Sequence, residues 1–306
     1  MDSDDRIKYY LGDFYNKEVI LEKNNIKDKK LNLINLEEFS KGKKYKHFEY
    51  FEYIKCLLKK NNIDKYILFL AGDYNNNINK LPLLCKTRRE NNNNIIINFT
   101  RFRHMNLVDY LVKYPDIPFN LKKNIVIWRG STTGNIKNTA NRFLIVEKFY
   151  NYNINKINIG FSSNKIINNN EQVGITKKHI KKKFVKEALT INQLLQNKFL
   201  VSVEGNELSS GLKWMLYSNS VVLMAKPRNF SWIMEDKLIP NKHYILLKDD
   251  FSDLEEKYKW CKNNLEKCNK ISNNATEYMK QFLDINKEKE LENMVIKRYV
   301  KNITIK

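Results

Sequence analysis

The chain has 306 residues, of which 42% are hydrophobic and 29% are charged. This length and composition suggest about two folded domains and exclude a chain that is disordered throughout. No stretch approaches the ~20 uncharged apolar residues that a membrane-spanning helix requires, so an integral membrane protein is also excluded.

The charge is strongly positive, with 55 Lys and Arg residues against 34 Asp and Glu residues and a formal net charge of +21 at pH 7. Such a balance predicts an anionic partner: nucleic acid, a membrane surface or a phosphate-bearing small molecule. The alternative interpretation is that the many Lys, Asn and Ile residues reflect AT-rich codons, and that the lysines only cover the surface.

Two further features of the sequence indicate the cellular compartment of the protein. The first residues, MDSDDRIKYY, lack the basic and apolar regions of a secretory signal, and the four cysteines form no CxxC pair. We therefore expect a cytoplasmic protein with thiols that form no disulfides, and with no metal site.

In the first part of the chain, mixed helix patterns over residues 1–60 give way to short apolar runs. Three of these runs predict buried strands: residues 66–71, 81–85 and 95–99. Two prolines interrupt the pattern at residues 114–118, and polar residues follow. We therefore place a domain boundary after residue 123.

The second half alternates more regularly between strand and helix patterns. Strands are predicted at residues 125–128, 157–159, 199–203, 220–225 and 244–247. Helices are predicted at residues 139–150, 184–196, from 212 onwards, and from 252 or 253 to about 262, with two more closing the chain. This alternation predicts an α/β fold whose parallel sheets form a binding cleft at the carboxyl ends of the strands.

Two strands run into loops of small residues that are followed by a helix pattern. Backbone N–H groups at such a helix start can bind an anion, and glycines allow close approach. The first loop contains Arg129, Gly130, Ser131, Thr132, Thr133 and Gly134, with Arg142 about two turns into the next helix pattern. The second contains Gly205, Asn206, Ser209, Ser210, Gly211 and Lys213. Neither is a Walker loop or a GxGxxG motif, so plain strand–turn–helix connections remain the alternative.

Three charged residues, one of them Lys213 of the second loop, are candidates for chemistry or binding. Asp73 ends the strand at residues 66–71, where a carboxylate can act as general base, or can simply form a turn. Glu235 can accept hydrogen bonds from ribose hydroxyls or pair with a surface lysine. Lys213, near a helix start, favours a local anion, although a lysine that extends to solvent is the commoner case.

The order of these blocks resembles glycosyltransferase family 90, which contains lipopolysaccharide-modifying and capsule-associated glycosyltransferases and the protein O-glucosyltransferases. The blocks are WRGSTTG, then FLVSVEGNELSSGLKW, then SNSVVLMAKPRNFSWIMEDKLIPNKHYILLKDDFSDL. The resemblance extends from about residue 67 to about residue 254. Residues 1–60 and the last forty or so match no family that we can name.

The resemblance implies a GT-B type fold with two Rossmann-like domains facing a central cleft. Residues 1–123 would form the acceptor-side domain, residues 124–284 the donor-binding domain, and residues 285–306 a helix that packs back on the first. It further implies an inverting transfer from a nucleotide sugar, usually UDP-linked, to a hydroxyl of a glycan or protein, without a metal or other cofactor. Contact with a membrane surface is compatible with the charge.

Carried over by position, the resemblance makes Asp73 the catalytic base and Glu235 the ribose contact. Both loops would bind the donor, with Arg142 as one diphosphate clamp. The protein O-glucosyltransferase branch has an arginine where this chain has Gly211, so Lys213 is the substitute cation. The alternative from another class is a basic nucleic-acid-binding protein without catalytic activity.

Overall fold

The computed structural model describes residues 1–26, 31–40, 47–73, 81–90, 92–99, 101–163 and 181–306. The described helices are α1 (Ser3–Leu11), α2 (Leu36–Ser40), α3 (Phe48–Lys60), α4 (Arg101–Lys113), α5 (Arg142–Phe149), α6 (Ile191–Leu195), α7 (Leu212–Tyr217), α8 (Leu254–Asn263), α9 (Leu265–Lys280) and α10 (Ile285–Asn302). The described strands are β1 (Val19–Leu21), β2 (Asn32–Ile34), β3 (Ile67–Phe69), β4 (Leu84–Cys85), β5 (Arg88–Arg89), β6 (Ile95–Ile96), β7 (Lys123–Gly130), β8 (Ile157–Phe161), β9 (Asn197–Val201), β10 (Val221–Met224), β11 (Asn229–Phe230), β12 (Ile245–Leu246) and β13 (Ile303–Ile305).

The fold is mixed α/β with parallel sheets, and the chain divides into two compact units. The first unit contains Met1–Arg103, Arg228–Met234 and Phe282–Lys306, and the second contains His104–Pro227 and Glu235–Gln281. The first unit thus ends about twenty residues before the boundary expected at residue 123, and it also includes the short segment Arg228–Met234. The segment that contains α10 belongs to this unit.

The second unit is built on a parallel sheet in the order β12-β10-β9-β7-β8. Its strands β9 and β10 are buried throughout, as is typical of parallel sheets that are covered on both faces. Trp128 and Phe161 from the sheet pack with Phe143 of α5 in one apolar core. The carboxyl ends of β7 and β9 lead into the two loops that the sequence singles out.

The first unit contains a sheet in the order β2-β3-β4-β6, in which β2 is antiparallel to β3 and the others are parallel. The amino- and carboxyl-terminal parts of the chain meet in this unit, because β1 and β13 pair in parallel. Helix α1 begins after Asp2, whose side chain accepts a hydrogen bond from the Asp5 backbone and so caps the helix.

A buried ion pair joins α1 to α10 within the first unit. Arg6 Nη1 and Nη2 donate to the two carboxylate oxygens of Glu288 at 2.6 and 2.7 Å. Trp232 Nε1 also donates to Glu288, and Tyr10 stacks on Trp232 with 3.8 Å between ring centroids. A bidentate Arg–carboxylate pair fixes orientation as well as distance. This cluster therefore holds three separate chain segments in fixed positions relative to one another.

The predicted strands are present, most of them shorter than expected, but one predicted helix is wrong. Residues 184–196 form a helix only at Ile191–Leu195, where Thr190 and Gln193 make a capping box. Phe184 ends a 3₁₀ turn, and Val185 then bridges to Phe161 of β8, with the Lys186 N–H donating to the Phe161 carbonyl at 2.8 Å. No helix among the described residues is long and apolar enough to cross a membrane.

Candidate functional site

The first loop, Ser131 to Gly134, leaves the carboxyl end of β7 and is held by Arg142. The Arg142 Nη1 donates to Ser131 Oγ at 3.0 Å and to Thr133 Oγ1 at 2.6 Å, and also to the Ser131 carbonyl at 3.2 Å. The other side of the guanidinium donates to the Val203 carbonyl, beyond the end of β9. Arg142 is itself the first residue of α5, behind the cap Asn141, so the expected position two turns into a helix is wrong.

Among the residues that the structure describes, no acid balances the charge of Arg142. Its hydrogen-bond acceptors are neutral oxygens, and no carboxylate among the described residues forms an ion pair with it. Burial lowers the pKa of Arg142 from its ordinary value to about 10, so the group remains a cation at neutral pH. A shielded cation that has only neutral partners provides a favourable place for an anion.

The second loop lies directly against the first. Asn206 Oδ1 accepts a hydrogen bond from the Gly134 N–H at 3.0 Å. A Cβ atom on Gly205 would lie 2.9 Å from Arg142 Nη2 and 3.0 Å from Thr133 Oγ1. Gly134 has φ +109°, and a Cβ there would lie 3.1 Å from the Gly205 carbonyl. A side chain at position 205 would therefore have to displace the Arg142 guanidinium, and one at position 134 the Gly205 backbone.

The remaining residues of the two loops differ in exposure. Thr132 is fully buried, Ser209 is partly buried and Ser210 is exposed. Gly211 precedes α7 at the N-cap position, and Lys213 lies in the first turn of that helix. Lys213 is only 4% exposed, so the alternative of a lysine that extends to solvent is wrong.

Arg129 and Gly130, at the end of β7, do not join the cluster around Arg142. Arg129 turns towards β8, where it donates to the Asn158 side chain and to the Glu187 carbonyl. Gly130 lies against the Trp128 ring, and its carbonyl accepts from the Ser162 N–H at 2.9 Å. The structure therefore brings together Ser131, Thr133, Gly134, Arg142, Gly205 and Asn206.

The two predicted carboxylates belong to different units. Asp73 follows β3 in the first unit, and its Oδ1 accepts from Lys86 Nζ at 2.5 Å. The Asp73 side chain is 48% exposed and that of Lys86 13%. Glu235 lies in the second unit, in the 3₁₀ turn Glu235–Lys237, and is buried.

Sequence reasoning missed Lys86 and Trp128. Phe69 of β3 lies opposite Leu84 of β4, so residues after the two strands, including Asp73 and Lys86, come together. Only knowledge of this pairing could reveal the contact. Trp128, whose ring lies 6.0 Å from the Arg142 guanidinium carbon, could have been recognised from its place before the loop. Among the described residues, no group of three or more His, Cys, Asp or Glu side chains could hold a metal ion.

Residues 105–306 match the family model described as Glycosyl transferase family 90. The chain belongs to this family. This family 90 glycosyltransferase is 29% identical over 250 residues to O-glucosyltransferase LpsA of Dichelobacter nodosus, with 80% of this chain and 70% of that protein covered. An uncharacterized protein, 179R, of invertebrate iridescent virus 6 is 27% identical over 199 residues, which cover 57% of this chain and 16% of the viral protein. Sucrose-phosphate synthase of Thermosynechococcus elongatus superposes with a TM-score of 0.40 at 9% identity, covering 63% of this chain and 49% of that one.

The family match decides between the two function classes. The protein is a glycosyltransferase, so the alternative of a nucleic-acid-binding protein without catalytic activity is wrong. The match includes the last forty residues, which the resemblance had left unassigned, because it continues through α10 to the end of the chain. It also includes both loops and Glu235, whereas Asp73 precedes the matched residues.

Proposed function

We propose that this glycosyltransferase transfers a sugar from a UDP-sugar to a hydroxyl group of a glycan or protein, with inversion and without a metal ion. The observation that carries the proposal is the shielded cation Arg142 between two loops that contain Gly134 and Gly205. We also propose the GT-B type for its architecture. The name of the relative LpsA, an O-glucosyltransferase, makes UDP-glucose the first donor to test.

The loops supply what a departing diphosphate needs. The negative charge that develops on the leaving group has to be stabilised by cations and N–H or O–H donors when no metal does so. Arg142 supplies the cation between the two loops, and its Nη1 atom donates hydrogen bonds to the hydroxyl oxygens of Ser131 and Thr133. Lys213, buried in the first turn of α7, is the second cation in this proposal.

Asp73 is the proposed base. In an inverting transfer a carboxylate accepts the proton of the acceptor hydroxyl as its oxygen attacks the anomeric carbon, and the sugar–phosphate bond breaks on the opposite side. Lys86 holds one oxygen of Asp73 in a charge-assisted hydrogen bond, which fixes the position of the carboxylate. Glu235 is the proposed contact for the ribose hydroxyls.

The donor site is tested by melting the protein with UDP in the presence of EDTA. We expect UDP to raise the melting temperature of the wild-type protein, because a ligand that binds only the folded state stabilises it. The Arg142→Gln variant should bind UDP roughly 100-fold more weakly, since one strong charged donor is lost. An absence of any shift with UDP and other nucleoside diphosphates would contradict the proposal.

The base is tested separately in the same preparation. Incubation with a panel of UDP-sugars identifies the donor through slow hydrolysis to UDP. The Asp73→Asn variant should then lose roughly a thousandfold in transfer rate, within the range for a general base, while its UDP-dependent melting shift stays that of the wild type. Full activity of this variant would remove the role proposed for Asp73.

A further inference from the structure

A second pair of cations lies beside β7, away from Arg142. Arg129 Nη2 donates to Asn158 Oδ1 at 3.0 Å, and Lys186 Nζ donates to the same oxygen at 3.3 Å. One neutral amide oxygen therefore serves two positive charges. In the sheet order, β9 lies on one side of β7 and β8 on the other. Arg142 contacts the β9 side through Val203, whereas Asn158 belongs to β8.

The backbone holds both cations in place. Arg129 lies opposite Gly160 in the register of β7 and β8. Its Nε donates to the Glu187 carbonyl at 2.8 Å, and its Nη1 donates to the carbonyls of Trp128 and Asn158. The Lys186 stem fills the space above Gly160, where a Cβ would lie 2.7 Å from Lys186 Cγ. The two charged groups are thus fixed by their surroundings rather than mobile at the end of long side chains.

The charges of this pair are poorly compensated. Burial lowers the pKa of Arg129, and burial together with the charge of Arg129 lowers the pKa of Lys186. The exposed Glu187 acts in the opposite direction on the pKa of Arg129, but the atom of Glu187 that Arg129 contacts is its backbone carbonyl. Neither cation forms an ion pair with a carboxylate in the part of the chain that the structure describes.

We infer that Arg129, Lys186 and Asn158 form a second oxyanion site, which takes a phosphate group and is separate from the loops around Arg142. The described contacts leave one N–H of the Arg129 guanidinium and two of the Lys186 ammonium available to such a group. A phosphate bound there gains charge-assisted hydrogen bonds and relieves the repulsion between the cations. This inference does not rest on the proposed transfer reaction.

The Asn158→Asp variant tests the site, because it places a carboxylate between the two cations without changing the size of the side chain. Inorganic phosphate is titrated calorimetrically at constant ionic strength. We expect wild type to bind phosphate, and Asn158→Asp to bind it at least about tenfold more weakly and to melt at a higher temperature without phosphate. Asn155→Asp is the matched control, since it adds the same charge at an exposed position of the same unit. It should bind phosphate like the wild type.

A second arm separates the two anion sites. The titration is repeated with excess UDP, and the Lys186→Met variant is included, which removes one cation and leaves Asn158 unchanged. We expect Asn158→Asp and Lys186→Met to weaken phosphate binding, and we expect the phosphate binding of the wild type to persist with UDP present. Equal phosphate affinity of wild type and Asn158→Asp would overturn the inference. Equal weakening of phosphate binding by Asn155→Asp would also overturn it, because that result shows general attraction to a basic surface. Complete competition by UDP would overturn it as well, because that result places the phosphate at the Arg142 loops.

Discussion

Gly205 illustrates how a single residue decides whether the two loops can meet. Its Cβ position is occupied by neighbours, because Arg142 Nη2 lies 2.9 Å and Thr133 Oγ1 3.0 Å away. The contact with Arg142 Nη2 is shorter than real Cβ contacts, so any side chain has to move the guanidinium. The need for glycine at this position follows from space rather than from backbone angles.

We therefore expect Gly205→Ala to weaken UDP binding by at least about tenfold, or ~1.4 kcal/mol, because the guanidinium is displaced from the loop. Binding is measured by titration calorimetry and folding by thermal melting. Gly211→Ala is the control within the same loop. The atom nearest to its added methyl is the end of the flexible Met215 side chain, and Gly211 has a helical φ of −79°. Equal losses in both variants would show that loop strain, not Arg142, causes the effect.

The Lys86–Asp73 contact gives a second prediction at this scale. Lys86→Met should lower the transfer rate by about tenfold, the lower part of the range for a charged hydrogen bond, because the Asp73 carboxylate is half exposed. UDP binding should not change. Lys86→Arg should restore most of the rate, since a cation again reaches Asp73. A Lys86→Met variant with the wild-type rate, or one that loses UDP binding, would contradict a positioning role.

Part of the candidate site could be predicted from the sequence and part could not. Small residues after a strand predict a loop that binds an anion, and the structure brings Ser131, Thr133 and Arg142 together there. The strand towards which the Arg129 side chain turns depends on which strands flank β7 in the sheet. Strand order is set by packing of the whole sheet, which no local pattern encodes, so the turn of Arg129 towards Asn158 was not foreseeable.

At the scale of elements, α10 places two buried carboxylates one turn apart. Glu288 is paired with Arg6. Burial raises the pKa of Glu292 to about 7, and the neighbouring charge of Glu288 contributes to the same effect. The side chains of Tyr53 and Asn98 and the charge of Arg101 act in the opposite direction without cancelling it. Glu292 therefore binds its proton more tightly in the folded protein than in the unfolded chain.

This shift predicts how stability depends on pH. Between the ordinary value of 4.5 and about 7, the folded state holds a proton that the unfolded chain has released. The contribution of Glu292 to the free energy of unfolding is thus complete below pH 4.5 and is lost as the pH rises through about 7. Its size is on the order of 3 kcal/mol. Glu292→Gln should flatten this part of the stability curve, measured by urea unfolding from about pH 4.5 to pH 8. An unchanged slope would contradict the assignment to Glu292.

The strands and helices also show where the hydrophobic pattern of the sequence predicts secondary structure correctly and where it does not. Apolar runs identified the strands of the second unit, since buried parallel strands are apolar along their whole length. The same reasoning placed a helix at residues 184–196, where apolar and polar residues recur at helical spacing. Pairing with β8 prevails there, because the Lys186 N–H and Phe161 carbonyl are joined. A helix forms only from Ile191, behind the Thr190 cap.

For the whole molecule, the charge of +21 predicts attraction to any polyanion. We expect duplex DNA to bind at about 0.05 M salt without sequence preference and to dissociate by about 0.5 M, because such binding depends on counterion release. UDP should still raise the melting temperature at the higher salt, since the partly buried Arg142 is screened less than the surface. Filter binding and thermal melting at both concentrations measure this. Sequence-selective DNA binding that survives high salt would show that the charge serves nucleic-acid recognition.

The pairing of β1 with β13 has a consequence for synthesis on the ribosome. Residues 19–21 are synthesised before the second unit, but their partners at residues 303–305 are synthesised only after it, as is Glu288, the partner of Arg6. At roughly 5–20 residues per second, the amino-terminal segment waits for many seconds. The second unit needs no residue beyond Gln281, so its sheet can assemble on the nascent chain first. A nascent chain stalled so that residues up to 281 have left the ribosome, but residues 285–306 have not, should thus expose α1 to proteases while shielding β7 to β10.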